Sequence, residues 1–371
     1  MSIKHPISRR TFVKSAAAAA AAAQFGPAIA VAEEEMVCGG IYVGAKDDYG
    51  YNQGHADAVA QVGKLPGVKI VEEAMVPETI EVQKTMESMI RLDGAKIIFA
   101  TSYGYYDPHV VEMAAKFPDA HFFHPGGTWV EGHPKNITTY WGYVDQAQYL
   151  SGILAGHHTK TGKLGFVPAV PIPIVLRAVN SFTLGARSVN PEIMVQLIYT
   201  GDWNVPVKEA EAVNSLVDQG CDVVNCEVDS PKVVVETAEK RGIYSCGVYA
   251  DQSPLAPNGF LSSAIGNWSA LFIDSIGKLR AGETLANWVM GSLADGMVSI
   301  AYGPAASADS KAAAEAAKAA IIDASLKIYS GEMRDNAGNV AIPAGTVLEY
   351  GDPKLDEMNW LVEGVIGSPS V

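Results

Sequence analysis

Positive charge is scarce in this chain: 27 lysines and arginines stand against 41 aspartates and glutamates, a net charge of -14 over 371 residues. An acidic chain without basic clusters lacks the electrostatic footprint for nucleic acid or an anionic membrane surface, so neither partner is expected. Cysteine is also scarce. Cys38, Cys221, Cys226 and Cys246 form no CxxC pair and no zinc-type spacing. Cys226 and Cys246 are expected on neighbouring strands, which allows a disulfide without requiring one. All eight histidines lie between His5 and His158. His121 and His124 sit three apart on one expected strand and so face opposite ways. His157 and His158 diverge on a helix. No metal site follows. His55, one turn past Tyr51, is open to a place in a cleft or at a helix cap. There is no Gly-x-Ser-x-Gly elbow and no GxGxxG after a strand, and Gly162-Lys163 runs into Leu164 rather than a phosphate-loop hydroxyl. Adjacent Asp47 and Asp48 suit solvation or capping of the next helix better than acid–base work. No catalytic residue and no cofactor is expected. Beyond the first 32 residues no uninterrupted apolar run reaches the roughly 18 residues a membrane span needs.

What is present starts with an address. Ser8-Arg9-Arg10-Thr11-Phe12-Val13-Lys14 precedes an alanine run from Ala16 to Ala23, and Ala-Ile-Ala-Val-Ala follows at 28–32. Paired arginines, a weakly apolar stretch and small terminal residues resemble a twin-arginine export signal. Cleavage near residue 32 and a periplasmic mature protein are expected. Cys38 follows Glu-Glu-Met-Val, a poor context for lipid attachment.

Hydrophobic residues make up 48% of the chain, enough for two cores at this length. After the signal, strand and helix patterns alternate. Val37–Val43, Val68–Glu72, Lys96–Thr101 and Ala120–His124 read as strands. His55–Leu65, Glu81–Leu92 and Asp107–Phe117 read as helices. Short apolar strands separated by helices predict a parallel sheet covered on both faces. The second half repeats the order: Gly94–Ser102 parallels Gly220–Val228, with a helix before and after each. The chain therefore reads as two similar doubly wound α/β domains.

In such sheets ligands bind beyond the carboxyl ends of the strands. Two facing domains would bring their strand-end loops across one cleft. Tyr49, Tyr51, Tyr103, Tyr105, Trp203 and Trp268 fall in or beside these loops, and paired rings suit a flat heterocycle. Asp48, Asn52, Asp229 and Asp251 are candidates for reading the ligand's edge or hydroxyls. Each tyrosine taken alone could equally close the end of a domain core.

An ordered series of segments over roughly 36–310 resembles the basic-membrane-protein family of ABC-transporter substrate-binding proteins, the group related to a purine-nucleoside receptor. It comprises Asp48-Tyr-Gly-Tyr-Asn-Gln53, Ala100–Tyr105, Asp145–His157, Val179–Ala186, Gly201-Asp-Trp203, Gly247–Gln252, and Leu261-Ser-Ser263 leading to Trp268. The resemblance implies a type I periplasmic-binding-protein fold with three crossovers, near Tyr143, near Asn267 and at 285–288. Lobe I is expected to span 36–143 plus 268–285, and lobe II 144–267 plus 286–371. It also implies that Tyr51 and Trp203 stack on opposite faces of a base, that Asp251 takes hydroxyls or ring nitrogens, and that Asn52 and Ser102 donate or accept. With Asp48, Tyr103, Asp229, Asn267 and Trp268 these complete the expected ligand set. Gln53 stands where many nucleoside-binding members have Asp, and Gly266-Asn267 where many carry a sugar-holding Lys. The missing Lys favours a free purine base over its nucleoside, with other heterocycles open.

The expected function is thus a monomeric, non-catalytic receptor of an ABC importer, partnered by a permease in the inner membrane. A purine- or nucleoside-processing enzyme and a ligand-presenting receptor for a sensor protein are the alternatives.

Overall fold

The computed structural model describes residues 35–370, so the export signal lies outside the described residues. Two sheets organise the chain. The first contains β1 (Met36–Ile41), β2 (Val68–Glu73), β3 (Ile97–Ala100), β4 (His121–Pro125), β5 (Ile137–Gly142) and, returning late, β11 (Trp288–Gly291). Its order is β11-β5-β4-β3-β1-β2, all parallel. The second contains β6 (Lys163–Pro168), β7 (Met194–Leu197), β8 (Val223–Glu227), β9 (Tyr244–Val248), β10 (Phe260–Gly266), β12 (Val298–Tyr302) and β15 (Val365–Ile366), while β13 (Met333–Arg334) and β14 (Val340–Ile342) pair by themselves. Its order is β12-β10-β9-β8-β6-β7-β15, parallel except for β12. Counted from its own first strand, each sheet has the order 2-1-3-4-5. The loose sequence repeat is therefore a repeat of topology. In both sheets the order reverses beside the first strand, between β1 and β3 and between β6 and β8, and that crevice is where an open α/β sheet receives a ligand.

The apolar runs explain the burial. Ile97-Ile-Phe-Ala100 and Val223–Glu227 are buried throughout, as strands covered on both faces must be. Helix α1 (Tyr51–Val62) begins four residues before the sequence pattern suggested, because Tyr51 and Asn52 are themselves buried in its first turn. The expected helix at 81–92 is α2 (Ile80–Arg91), but the one at 107–117 is broken: Asp107 has strand-like backbone angles (φ -118°, ψ 120°), and only α3 (Val111–Lys116) is a regular α-helix.

The chain passes between the sheets at residue 143, at residue 267 and at 292–297. The third passage lies later than the expected 285–288. β11 pairs with β5, so residues 286–291 go with the first sheet rather than with lobe II. Backbone bonds stitch the passages together: Tyr143 N donates to Gly291 O at 2.9 Å and Asn267 N to Met297 O at 2.8 Å.

Helix α4 (Val144–His158) leaves the first passage and is buried over most of its circumference, lying between β10 and helix α5 (Pro173–Val189). Its close approach to α5 explains two glycines. A Cβ on Gly152 would stand 2.0 Å from Phe182 O, and one on Gly185 would stand 1.9 Å from Tyr149 O. The C-terminal chain then wraps this pair. Asp145, buried at the start of α4, accepts from Arg177 Nε at 3.1 Å and from Tyr350 Oη at 2.7 Å; Arg177 also reaches Asp356 at 3.0 Å. The four cysteines are buried and free. Register puts Ser245 beside Val224, hence Cys246 beside Asn225 and not Cys226. The two thiols pack in different cores on opposite faces of the sheet, which rules out the disulfide.

Candidate interlobe ligand site

The segment after β1 builds the first wall. Gly50 has no side chain to cap α1, so Asp48 does it. Asp48 Oδ1 accepts from Gly50 N and Gln53 N, both at 2.9 Å, and Oδ2 from Asn52 N at 3.1 Å and Asn52 Nδ2 at 2.8 Å. Gln53 Oε1 in turn accepts from Tyr49 N at 3.0 Å. Asn52 spends its other end on Gly44 N at 3.0 Å. Asp48 and Asn52, both expected to read the ligand, are thus committed to holding this turn.

The turn docks directly on the second lobe. Tyr51 N donates to Asp229 O at 2.8 Å, Ser230 Oγ to Asp48 O at 2.8 Å, and Gln252 Nε2 to Tyr49 O at 2.6 Å. A Cβ on Gly50 would lie 2.0 Å from Asp229 O, so only glycine permits this approach. Tyr49 (φ 55°) and Tyr249 (φ 70°), on opposite sides of the contact, both hold the left-handed conformation that side chains disfavour. The lobes are latched shut, with backbone strain stored on each side of the latch.

Aromatic rings gather behind it. Tyr51 lies 4.5 Å from His55, 5.5 Å edge-on from Tyr249 and 6.3 Å from Trp141, nearly parallel to the last. Trp268, 1% exposed, stacks on His55 at 5.6 Å and lies tilted against Trp141 at 5.7 Å. Buried polar atoms are left without protein partners here: His55 Nε2, Tyr140 Oη, Trp141 Nε1 and Gln252 Oε1. Such atoms cost free energy unless something else meets them. Burial pushes the His55 imidazole down to about 4, so it is neutral at ordinary pH.

The second wall is acidic. Glu227, at the end of β8, accepts from Tyr249 Oη and from Gln148 Nε2, and Asn225 Nδ2 donates to Gln148 Oε1 at 2.6 Å. Burial lifts the Glu227 carboxyl to about 7 against those bonds. Asp229 is strung between the lobes by its backbone: its N–H donates to Trp203 O at 2.9 Å and its carbonyl accepts from Tyr51. Its carboxylate receives no hydrogen bond among the described residues. Burial first, then the charges of Asp48, Glu78, Asp202 and Glu209, lifts it to about 7.

The other expected ligand residues are distributed as follows. Ser102 is buried, donating to Glu78 and accepting at its carbonyl from His124 Nε2 at 2.7 Å. Tyr103 is 72% exposed at the rim. Trp203 is half-buried against the core of the second lobe. Asp251 is exposed and holds its own turn through Ser253. Asn267 donates to Gly296 O at 3.1 Å and accepts from Ser269 Oγ at 2.7 Å, tying two interlobe passages together. The structure thus brings together Tyr51, Asp229 and Trp203, with Trp268 behind. Sequence reasoning missed Trp141, Gln148, Glu227 and Tyr249. Trp141 and Gln148 lie in strand and helix patterns rather than loops. Glu227 and Tyr249 sit at strand ends, and only the fold identifies their facing partners. Two open cavities lie elsewhere, one of about 470 Å³ beside His121 and Leu285 and one of about 230 Å³ beside Tyr143 and Tyr350. They lack this convergence of rings and unpaired polar atoms. Among the described residues no three His, Cys, Asp or Glu groups stand together as a metal site, and no helix is long and apolar enough to cross a membrane.

Comparison with known proteins agrees with this architecture. The family described as ABC transporter substrate-binding protein, PnrA-like, matches residues 36–337, and a twin-arginine translocation signal matches residues 6–26. The chain is 32% identical over 272 residues to a purine-binding protein of Brucella abortus, covering 73% of this chain and 76% of that one. It is 31% identical over 267 residues to a Haloferax volcanii protein named as an ABC transporter glucose-binding protein, covering 71% and 66%. Among solved structures, an ABC transporter solute-binding protein of Conexibacter woesei superposes with TM-score 0.66 at 20% identity, covering 78% and 97%. A transcriptional activator of comK from Bacillus halodurans superposes with TM-score 0.65 at 21% identity, covering 78% and 99%, so the fold alone does not fix the role.

Proposed function

We infer from one premise, that this chain belongs to the PnrA-like family of ABC transporter substrate-binding proteins and is exported to the periplasm, that its own ligand is a purine base or purine nucleoside. The family's members bind small solutes and hand them to a membrane permease. The protein therefore returns its ligand unchanged rather than turning it over. One observation carries the purine reading: Asp229 is hydrogen-bonded through its backbone to both Trp203 and Tyr51, the two rings that lie on opposite lobes. A flat heterocycle held at this junction, with Tyr51 on one side and Trp203 on the other, would meet the Asp229 carboxylate at its edge. The purine-binding relative of Brucella supports the same ligand class. Signal cleavage near residue 32 and a monomeric mature protein complete the proposal.

Calorimetry with adenine, adenosine, guanine and guanosine tests it. Each stacked ring contributes about 1–3 kcal/mol. Trp203→Ala should therefore weaken binding roughly tenfold to a hundredfold, and Trp203→Phe much less. With no lysine beside Asn267, the free base should bind at least as well as its nucleoside. Unchanged affinity in Trp203→Ala would remove the stacking role, and failure of every purine would remove the ligand class. The glucose-binding relative favours a sugar as the second reading, since sugar faces also pack on aromatic rings.

A further inference from the structure

We propose that the interlobe site selects its solute by charge, admitting neutral or cationic solutes that carry N–H or O–H donors and excluding their phosphorylated forms. The proposal rests on the latched cleft being the ligand site, and not on the ligand being a purine. Its first support is an excess of acids at the latch, where Asp229 N donates to Trp203 O beside Asp202 and Ser230 Oγ donates to Asp48 O. Burial first, and then the charges of Asp48, Glu78, Asp202 and Glu209, favour the proton on Asp229, which puts these four acids from both lobes within electrostatic reach of it. Glu78 comes from the first lobe, where it accepts from Ser102 Oγ and from Gly104 N at 2.9 Å. Burial foremost, with Asp229 adding to it, raises the phenols of Tyr51 and Tyr249; for Tyr249 the Glu227 carboxyl adds more than Asp229 does.

The second support is unmet acceptor capacity. Glu209, wholly buried in the first turn of α6 (Pro206–Asp218), has Oε1 on Val205 N at 3.0 Å and Oε2 on nothing. Gln252 Oε1, also wholly buried, has no donor, and the Asp229 carboxylate has none among the described residues. Three acceptors without donors call for donors from the solute. Two lysines are near. Lys208 Nζ is tied to Thr200 O at 3.1 Å, and Lys232 Nζ stands 5.9 Å over the Tyr49 ring; both are exposed. A phosphoryl group would bring roughly 1.5 to 2 further negative charges beside these acids, and like charges repel.

The test is affinity for matched pairs by calorimetry: adenosine with its 5′-monophosphate, guanosine with its 5′-monophosphate, and glucose with glucose 6-phosphate. The phosphorylated member should bind at least about a hundredfold more weakly. At pH 8.5, where the Asp229 carboxyl is ionised, Asp229→Asn should narrow that gap about tenfold, because it keeps the shape and removes the charge. A phosphorylated member binding within threefold of its neutral partner would overturn the proposal. If only glucose binds and its phosphate does not, the purine reading fails while charge selection stands. A measurement without ligand guards against all six probes failing. The Asp229 carboxyl, followed by carbon-13 NMR against pH, should titrate well above the ordinary aspartate range, and a midpoint near 4 would itself sink the idea.

Discussion

At the scale of single residues, function here depends on which polar groups are already spent. Asp48, Asn52 and Asp251 look alike in the sequence as candidate readers, yet each satisfies a backbone turn. Asp229, just past the end of β8, keeps its carboxylate free of protein donors among the described residues, whereas Glu227 spends both oxygens on Tyr249 and Gln148. Burial holds the Glu227 carboxyl at about 7, above its ordinary 4.5. A carboxyl raised in the folded state keeps a proton that the unfolded chain has released, so its contribution to stability is present below about pH 4.5 and is lost as pH rises through about 7. Glu227→Gln should remove this dependence, which can reach about 1.4 kcal/mol per pH unit. Urea denaturation at pH 5.5 and 8.5 checks it: the variant's stability relative to wild type should improve at the higher pH. A difference that does not change with pH would count against the buried acid. The neutral histidines act oppositely. His55, down at about 4, and His124, at about 3, withdraw stability as pH falls below about 6.5, because the unfolded chain then takes protons the folded one refuses.

At the scale of elements, two motifs that carry the family resemblance have a packing reason. Tyr149-Leu-Ser-Gly152 on α4 and Phe182-Thr-Leu-Gly185 on α5 are the faces through which these helices touch. Gly152→Ala would drive a methyl to 2.0 Å from the Phe182 carbonyl. We expect a loss of about 1–3 kcal/mol or more from overpacking, measured as a lowered denaturation midpoint. Retained wild-type stability would mean that the helices separate freely. The same helix pair is wrapped by the chain beyond residue 337, past the family match. Tyr350 lies 4.4 Å from the Tyr143 ring and bonds Asp145, so the C-terminal segment grips the first passage between the lobes. Arg177 and Asp145 are almost wholly buried, and such a pair holds only while both partners remain.

At the scale of the whole molecule, three passages of chain allow rotation of one lobe against the other, and the latch defines the closed end of that motion. Opening must break the bonds of Tyr51, Ser230 and Gln252 across the cleft and would release the strain at Tyr49 and Tyr249. Ligand should therefore favour the latched form. Small-angle scattering should give a smaller radius of gyration at saturating ligand than without it, and an identical profile would argue against a moving cleft. The sequence by itself determined the export signal, the alternation of strand and helix, and the loops that carry aromatic and acidic residues. Those features rest on local periods of 2 and 3.6 residues and on short motifs, which need no distant partner to be read. Tertiary structure alone decided that β11 belongs to the first sheet, that Cys226 and Cys246 face apart, and that Asp229 rather than Asp48 or Asp251 keeps its carboxylate free. Each of these depends on register or on donors brought from far along the chain, as when Ser230 meets Asp48 across 182 residues, and no local pattern records which groups the fold will join.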